Sequence, residues 1–437
     1  MRINLKSLGC RLNEAELETW ARQFQSEGHR IVQQAADADL IVLNSCAVTN
    51  DAVRKSKHLI RRTHRENPYA KLMVTGCYAS LNPEDTKAVL GVDFVVANPD
   101  KSKLVEIAKE NFDFPTMPAL ATEPGAASLF ARGRQRAFVK AQDGCRYRCT
   151  FCIVTLARGA ETSRGIAEIV GEINALHDEG VQEAILTGVH LGGWGSDLGL
   201  RLEDLISAIL ESTAIPRLRL GSLEPWELSE RFFALLQNAR LMPHLHLPLQ
   251  SGADTVLRRM ARRCKTAEFS QLTSLARQVC PDINITTDII VGFPGETEDE
   301  WQESLNFIAE QGFGHIHLFG YSARPGTKAA NLPEQVPAAT IKSRVQQLHR
   351  LASLQKKATL ARFVGREFPV LWEEGSAPQA DGSRTFPGYT PNYLRVETTA
   401  EAGLDLCRRI ATARLTGIAE SGDCLLGELQ RFFNKGK

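Results

Sequence analysis

Three cysteines lie close together in the middle of the chain. Cys145, Cys149 and Cys152 stand in the stretch DGCRYRCTFCIV with C-x3-C-x2-C spacing. Structural zinc usually takes four ligands in paired short spacings, and no fourth Cys or His lies near enough in sequence to complete such a set. Iron–sulfur clusters are normally held by four thiolates, so three thiolates leave one iron for a ligand from outside the protein. The spacing therefore favours an iron–sulfur cluster with an open position.

Three further cysteines are distant in sequence but share a local setting. Cys10, Cys46 and Cys77 each follow a predicted strand, at residues 3–8, 40–43 and 72–75. Helical patterns alternate with these strands, which predicts a parallel sheet. The carboxyl ends of parallel strands share one edge, where ligands bind. We therefore expect the three thiols to meet at that edge; the alternative is three buried structural cysteines.

The predicted elements divide the chain into an α/β fold with three domains. The first covers residues 1–112, and a segment rich in Pro, Ala and Gly at residues 113–136 is interpreted as a linker. Residues 137–362 alternate strands and helices and predict a partial (β/α)6 barrel, with Cys145 at the carboxyl-end face where such barrels carry active sites. Residues 363–437 have short strands and turns, which predict a small all-β barrel.

Composition and charge limit the classes of protein to consider. Of the 437 residues, 43% are hydrophobic and 24% charged, and the formal net charge is +1. This balance excludes a uniformly cationic nucleic-acid binder, although local basic patches can still bind phosphate. No apolar run approaches the ~18 residues of a membrane span, and the start MRINLK does not resemble a signal peptide. We expect a cytoplasmic protein with no membrane partner, whose cysteines stay reduced.

The barrel segment resembles the radical S-adenosylmethionine (SAM) superfamily. Besides the cysteine spacing, the segments LTGVH, SLEP, LPLQSG and TTDIIVGFPGET stand at successive predicted strand ends. The resemblance implies that the open iron binds SAM and that the cluster's electron cleaves it to a 5′-deoxyadenosyl radical. It also implies a SAM pocket lined by Gly188, Glu224, Gln250, Asp288 and Gly292. The alternative for each is an ordinary loop residue at a strand end.

The whole chain is similar to the methylthiotransferases within that superfamily. The resemblance rests on the three N-terminal cysteines, the QDGC lead-in, the ARG segment at residues 157–159 and the small C-terminal barrel, which resembles a TRAM domain. It implies a second 4Fe-4S cluster on Cys10, Cys46 and Cys77 that carries the sulfur to be inserted. One departure is Thr155, where relatives usually have proline.

The segments GCRLNEAELE, NSCAVTNDAVRKSK and VTGCYAS are most similar to the branch that modifies threonylcarbamoyladenosine in tRNA. The resemblance implies two uses of SAM. One molecule methylates the cluster-bound sulfur, and another yields the radical that abstracts hydrogen from carbon 2 of the adenine next to the anticodon. It further implies a flavodoxin- or ferredoxin-like electron donor, and we expect a monomer. Four alternatives stay open: isopentenyladenosine as substrate, an aspartate of a ribosomal protein as substrate, a plain radical SAM methyltransferase, and a non-enzymatic iron–sulfur regulator that binds RNA.

Basic and aromatic residues are candidates for contact with tRNA. The predicted helix around RKSKHLIRRTHR holds Arg54, Arg61 and Arg62, which can neutralise phosphates or simply form a solvated helix face. A second basic helix is predicted at LRRMARRCK, and there the solvated face is the favoured interpretation. In the last domain basic and aromatic residues alternate, as stacking platforms do. The predicted RNA contacts beyond the first helix are Arg158, Arg384, Tyr393 and Arg395.

Other residues with reactive side chains receive a plainer interpretation. His244 with His246, and His315 with His317, form pairs on two predicted strands, and each pair faces one way. This permits a metal ion, but hydrogen bonding to substrate or to neighbouring groups is favoured. The remaining cysteines have no cluster spacing and are expected to be structural thiols: Cys264, Cys280, Cys407 and Cys424.

Overall fold

The computed structural model describes residues 1–112 and 135–430. The predicted linker lies outside the described residues except at its end, where Arg136 already belongs to a strand. Within the described part no helix is both long enough and apolar enough to cross a membrane. The fold class is confirmed: a parallel-sheet α/β region comes first, a partial barrel follows, and a small closed β-barrel ends the chain.

The N-terminal region is a five-stranded parallel sheet with the order β2-β1-β3-β4-β5. All six residues of β3 are buried, as expected for a central strand with helices on both faces. Apolar cores lie on the two sides of the sheet. The strands and helices are β1 (Arg2–Ser7), α1 (Arg11–Ser26), β2 (Arg30–Ile31), β3 (Leu40–Ser45), α2 (Asn50–Glu66), β4 (Lys71–Gly76), α3 (Cys77–Leu81), α4 (Pro83–Lys87), β5 (Phe94–Val96) and α5 (Leu104–Asn111).

The central region is an open parallel barrel of six strands. β6, β9 and β10 pair in one sheet, β11, β12 and β13 in another, and the bridge between Leu218 and Leu241 joins β10 to the entry of β11. The elements are β6 (Arg136–Lys140), β7 (Gln142–Asp143), α6 (Val154–Arg158), β8 (Thr162–Ser163), α7 (Ile166–Asp178), β9 (Glu183–Thr187), α8 (Leu202–Ser212), β10 (Arg217–Leu220), α9 (Glu230–Leu235), β11 (His244–His246), α10 (Asp254–Arg259), α11 (Thr266–Val279), β12 (Asn284–Val291), α12 (Glu298–Gln311), β13 (His315–Gly320) and α13 (Ala338–Ala361).

Local sequence signals explain several of these boundaries. α12 begins with a capping box, in which Thr297 accepts from the backbone of Glu300 and the Glu300 side chain accepts in return. The helix ends at Gly312, which has the left-handed conformation that glycine tolerates. The prediction of a second basic helix at residues 257–265 is wrong beyond Arg259, where α10 ends. The following residues turn back toward the barrel.

The C-terminal region closes into a five-stranded barrel with the order β14-β15-β16-β18-β17. Its apolar core includes Trp372, Phe386 and Leu415. Arg217, the first residue of β10, donates to the backbone oxygens of Tyr389 and Pro369. These bonds fix the C-terminal barrel against the amino-terminal end of that strand. The strands are β14 (Glu367–Trp372), β15 (Arg384–Tyr389), β16 (Arg395–Ala400), β17 (Ile410–Ile418) and β18 (Leu425–Leu429).

Candidate active site

The N-terminal cysteine set, Cys10, Cys46 and Cys77, lies at the carboxyl edge of the first sheet. Cys10 precedes α1 after β1, Cys46 follows β3, and Cys77 begins α3 after β4. Burial raises the pKa of the Cys46 thiol, and the neighbouring thiols of Cys77 and Cys10 raise it further. The three thiols follow three adjacent strands, and two of them affect the pKa of the third. Such a set of sulfur ligands is of the kind that binds soft metals and clusters.

Gly9 lets the first of these loops come close to the second. Its φ is +124°, and a Cβ at this position would lie 2.9 Å from Cβ and 3.0 Å from Sγ of Cys46. An alanine would therefore push the loop that carries Cys10 away from Cys46. The SLGC sequence thus has a geometric reason: glycine is required where the two cysteine loops meet.

The barrel cysteine set, Cys145, Cys149 and Cys152, follows β6 and β7 at the carboxyl end of the barrel. Burial raises the pKa of Cys145 to about 11 and that of Cys152 to about 12, and the thiol of Cys149 adds to both shifts. Three close thiols in one loop fit an iron–sulfur cluster, whose positive metal would remove these protons. Without a metal the set stays protonated at neutral pH.

Arg262 connects this set to one of the predicted SAM residues. Its guanidinium donates to both carboxylate oxygens of Glu224, at 3.2 and 2.6 Å, and Nη1 lies 3.8 Å from Sγ of Cys149. The arginine side chain is only 3% exposed and lies over the ring of Trp226 at 4.6 Å. The sequence pattern does not single out Arg262, because the surrounding basic residues resemble a solvated helix face.

Four of the predicted SAM residues follow strands of the barrel, and the fifth, Asp288, lies within β12. The backbone of Gln250 bonds with β12, accepting from Ile290 and donating to Asp288, and Gln250 is buried with a φ of +77°. A Cβ on Gly188 would lie 2.9 Å from the side chain of Gln142. At Gly292 there is no space for a side chain, because a Cβ there would lie 2.4 Å from the Ile341 side chain.

The histidines of β11 and β13 come together inside the barrel. His246 Nε2 lies 3.2 Å from Asp288, and the rings of His246 and His317 are 5.4 Å apart in an edge-to-face contact. Nδ1 of His246 bonds to the Thr286 hydroxyl, which also bonds His244. His246, Asp288 and His317 could also offer atoms to one metal ion. The hydrogen bonds of His244 and His246 match the favoured interpretation of these two histidines, whereas the contacts described for His315 and His317 are ring contacts.

A different histidine approaches the barrel cysteines. Cys145, Glu161 and His190 have ligand atoms within 4.8 Å of one another, which the sequence spacing did not reveal. However, the two ring nitrogens of His190 already face Glu161 and Glu227, which raise its pKa against the opposing effect of burial. His190 therefore neutralises carboxylates beside the cysteine loop, and its nitrogens point to these acids.

Arg158 belongs to a buried ion-pair network. Its side chain is 2% exposed and pairs with Glu16 of α1 at 3.0 Å and with Asp143 at 2.9 Å. Lys101 and Lys140 also pair with Glu16. Although burial alone would raise the pKa of Glu16, these cations hold it well below its usual value. A side chain so enclosed does not reach phosphate, so the predicted RNA contact of Arg158 is not supported by its position.

This network touches both cysteine sets. Arg158 Nη2 donates to Asn13 Oδ1 at 2.8 Å, and the same oxygen lies 3.7 Å from Sγ of Cys10. The side-chain amide of Asn98 reaches Cys77 Sγ at 3.9 Å and the backbone oxygen of Ala157 at 2.6 Å. On the barrel side, the backbone N–H of Cys145 donates to the backbone oxygen of Gly159, the residue after Arg158, at 3.2 Å. Polar contacts at Arg158 and its neighbours therefore reach both cysteine sets.

The other predicted RNA residues divide into two groups. Arg54, Arg61 and Arg62 are exposed on α2, where Arg54 pairs with Asp51 and Arg62 with Glu66. In the C-terminal barrel, Arg395 is half-exposed, and Arg384 donates to the backbone of Ser376 and Gly375. Tyr393 stacks on Tyr389 at 4.9 Å and contacts Arg136 and Arg219, so it also packs against the central barrel.

Comparison with known proteins agrees with this arrangement. Residues 2–97 match the family described as Uncharacterized protein family UPF0004, and residues 139–308 match the radical SAM superfamily. A protein of Bacillus subtilis named threonylcarbamoyladenosine tRNA methylthiotransferase MtaB is 35% identical over 90% of this chain and 89% of its own length. The chain belongs to the radical SAM methylthiotransferase family. It is therefore an enzyme of that family, whose radical SAM part implies a 4Fe-4S cluster and SAM.

Further relatives carry two different names. The MtaB protein of Thermotoga maritima is 35% identical over 85% of this chain and 86% of its own length. A tRNA-2-methylthio-N(6)-dimethylallyladenosine synthase of Cereibacter sphaeroides is 34% identical over 91% of this chain and 96% of its own length. Among solved structures, the radical SAM methyltransferase TsrM of Kitasatospora setae has a TM-score of 0.58 at 15% identity, and each chain is covered to 75%. That likeness supports the fold.

Proposed function

We propose that this enzyme transfers a methylthio group to carbon 2 of threonylcarbamoyladenosine, next to the anticodon of tRNA. Several relatives that match most of the chain carry that activity in their names. The observation that carries the proposal is that one buried ion-pair network reaches both three-cysteine sets: Asn13 links Arg158 to Cys10, and the residue after Arg158 accepts a hydrogen bond from the backbone of Cys145. A plain radical SAM methyltransferase would need only the barrel set.

Each set would hold one 4Fe-4S cluster through its three cysteines. When bound, the clusters and SAM would supply the electron for SAM cleavage and the sulfur that is transferred. The chain's own residues prepare these sites. The thiols of Cys145 and Cys152 give up protons on metal binding, because burial keeps them protonated until then. Arg262 orients the Glu224 carboxylate, a predicted contact for SAM.

The junction between the first sheet and the barrel would exclude water from the reacting groups. α1 packs against β6, and Glu16, Lys101 and Arg158 are buried between them. A rigid, dry junction keeps two reaction partners in one orientation, which lowers the entropic cost of bringing them together. The arginines of α2 and the C-terminal barrel would hold the anticodon arm by its phosphates.

Isopentenyladenosine in tRNA is the second candidate substrate, because relatives named dimethylallyladenosine synthases are 34% identical over similar lengths. Mass spectrometry of nucleosides from tRNA of a strain lacking this chain separates the two. We expect loss of the 2-methylthio form of threonylcarbamoyladenosine and accumulation of its precursor. Loss of 2-methylthio-isopentenyladenosine alone would reject the proposal.

A further inference from the structure

A cavity of about 210 Å³ lies where the three parts of the chain meet. Its wall includes Arg11 of α1, Arg136 and Phe138 of β6, and Glu373 and Tyr393 of the C-terminal barrel. Arg11 follows Cys10 directly in the sequence, so one residue of the cavity wall is the chain neighbour of an N-terminal cysteine. Arg11 is therefore the cavity residue that could meet a group attached to an adenine held beside that set.

Arg11 offers a cation that a ligand can recruit. Its guanidinium carbon lies 5.1 Å from the centroid of the Phe138 ring, a contact that favours one orientation of the charged plane. Its ion pair with Glu14, at 3.0 Å, spans three residues of α1, and the Arg11 side chain is 63% exposed. Exposed pairs of this kind contribute little to stability. Glu14 also lines the cavity, and a ligand carboxylate would have to take its place on the guanidinium, where it could accept two hydrogen bonds.

Arg136, the other arginine of the cavity, is engaged by the protein. Its Nη1 donates to the Tyr393 hydroxyl at 3.1 Å, its Nη2 pairs with Glu373, and its guanidinium lies over the Tyr389 ring at 4.3 Å. The Arg136 side chain is 16% exposed. These contacts make it a structural part of the wall between β6 and the C-terminal barrel. Of the two cavity arginines, Arg11 is therefore the one that can pair with an anionic ligand.

We propose that this cavity receives the threonylcarbamoyl group and that Arg11 binds its carboxylate, which makes Arg11 a residue that determines substrate specificity. The inference rests on the proposed function. The threonylcarbamoyl group ends in a carboxylate, whereas the dimethylallyl group of the rival substrate is uncharged and apolar. Insertion of an apolar group would displace water and acid partners from the guanidinium without replacing their hydrogen bonds. Arg11 thus favours the charged modification.

The test compares two anticodon stem–loops, one with threonylcarbamoyladenosine as the free acid and one with its methyl ester. Methylthiolation rates and dissociation constants are measured for the reconstituted wild-type enzyme, R11Q, R11K and the control R30Q, which removes an exposed arginine on β2. We expect the wild type and R30Q to prefer the acid by roughly 10- to 100-fold, the range of a hydrogen-bonded charge pair. R11Q should treat acid and ester alike, and R11K should fall between.

Two readouts show that R11Q remains folded and loaded: iron content per chain, and release of 5′-deoxyadenosine from SAM without tRNA. Because the acid and the ester are compared within each variant, a general loss of activity does not imitate loss of discrimination. An acid preference in R11Q equal to that of the wild type would overturn the inference. Equal use of acid and ester by the wild type would overturn it while leaving the proposed function intact. Failure of the wild type to modify either stem–loop, with modification of an isopentenyladenosine stem–loop, would overturn both.

Discussion

Arg262 joins the barrel cysteines to the predicted SAM pocket through a single side chain. It is almost fully buried, holds both oxygens of Glu224 and approaches Cys149. Removal of one partner from such a pair leaves the other charge buried and uncompensated. A residue of this kind acts by positioning, since its hydrogen bonds set the direction of the carboxylate that would face SAM.

Replacement of Arg262 by glutamine should weaken SAM binding. Loss of the paired hydrogen bonds lets Glu224 turn away, and we expect the dissociation constant of SAM to rise about tenfold or more. Iron content should stay near that of the wild type, because the three cysteines remain. Equilibrium binding of SAM measures the effect, with R258Q at an exposed position of α10 as the control. Unchanged SAM affinity in R262Q would show that Glu224 needs no such support.

The barrel thiols predict a loss of stability at alkaline pH in the metal-free protein. Burial raises the pKa of Cys145 to about 11 and of Cys152 to about 12, above the ordinary thiol value of the unfolded chain. Above about pH 8.5 the unfolded state therefore loses protons that the folded state keeps, and the free energy of unfolding falls as pH rises. Urea unfolding of the metal-free protein, measured at several pH values from roughly 7.5 to 10, gives this decline in the free energy of unfolding. C152A should show a shallower decline, and an identical slope would contradict the assignment.

Among the helices and strands, α10 illustrates which boundaries the sequence predicts and which it does not. The strands and most helices follow from alternating apolar periodicity, and residues 183–187 and 94–96 match their predicted strands. The basic run at residues 257–265 continues the helical pattern, yet the helix ends at Arg259. Ala261 takes a left-handed φ of +58°, and the backbone N–H groups of Ala261 and Arg262 bond to Arg258 and Leu257. This is a Schellman ending without glycine, so the sequence carries no signal for it.

The cysteine positions were easier to predict than their surroundings. Short offsets after parallel strands bring Cys10, Cys46 and Cys77 to one edge, as expected from topology. The burial of Arg158 could not be predicted, because its partners Glu16 and Asp143 belong to different regions of the chain. Long-range ion pairs leave no periodic pattern in a single sequence. The prediction of an RNA contact for Arg158 therefore takes no account of its burial.

Glu16 connects α1 to the barrel through its buried ion pair with Arg158. Replacement of Glu16 by glutamine leaves Lys101 buried without a carboxylate partner and Arg158 with Asp143 alone, which should destabilise the junction by about 3–5 kcal/mol. The pKa of Glu16 is held well below its usual value, so this stabilisation persists above the unfolded pKa and is lost only as pH falls through the folded one. Thermal unfolding at neutral pH measures the loss. E84Q, in an exposed pair on α4, should change stability by less than about 1 kcal/mol.

At the scale of the whole molecule, exposed positive charge on α2 and the C-terminal barrel would face the tRNA. Combined replacement of Arg54, Arg61 and Arg62 by glutamine should weaken tRNA binding uniformly across sequences. Each lost phosphate contact should reduce the slope of log affinity against log salt by about 0.7–0.9. Titrations at several salt concentrations measure this slope, with R30Q as a control that removes one exposed arginine outside α2. A slope equal to that of the wild type would place the tRNA elsewhere.

The proposed function requires both cysteine sets to serve one reaction on threonylcarbamoyladenosine. The most direct measurement is mass spectrometry of nucleosides after the anaerobically reconstituted enzyme has acted on tRNA bearing that nucleoside, with SAM, a sulfur source and a low-potential reductant. The wild type should yield the 2-methylthio product, and iron should approach about eight atoms per chain. A variant with Cys10, Cys46 and Cys77 replaced by alanine should still release 5′-deoxyadenosine but form no methylthio product. Methylthiolation by that variant, or no product from the wild type while isopentenyladenosine in tRNA is modified, would contradict the account.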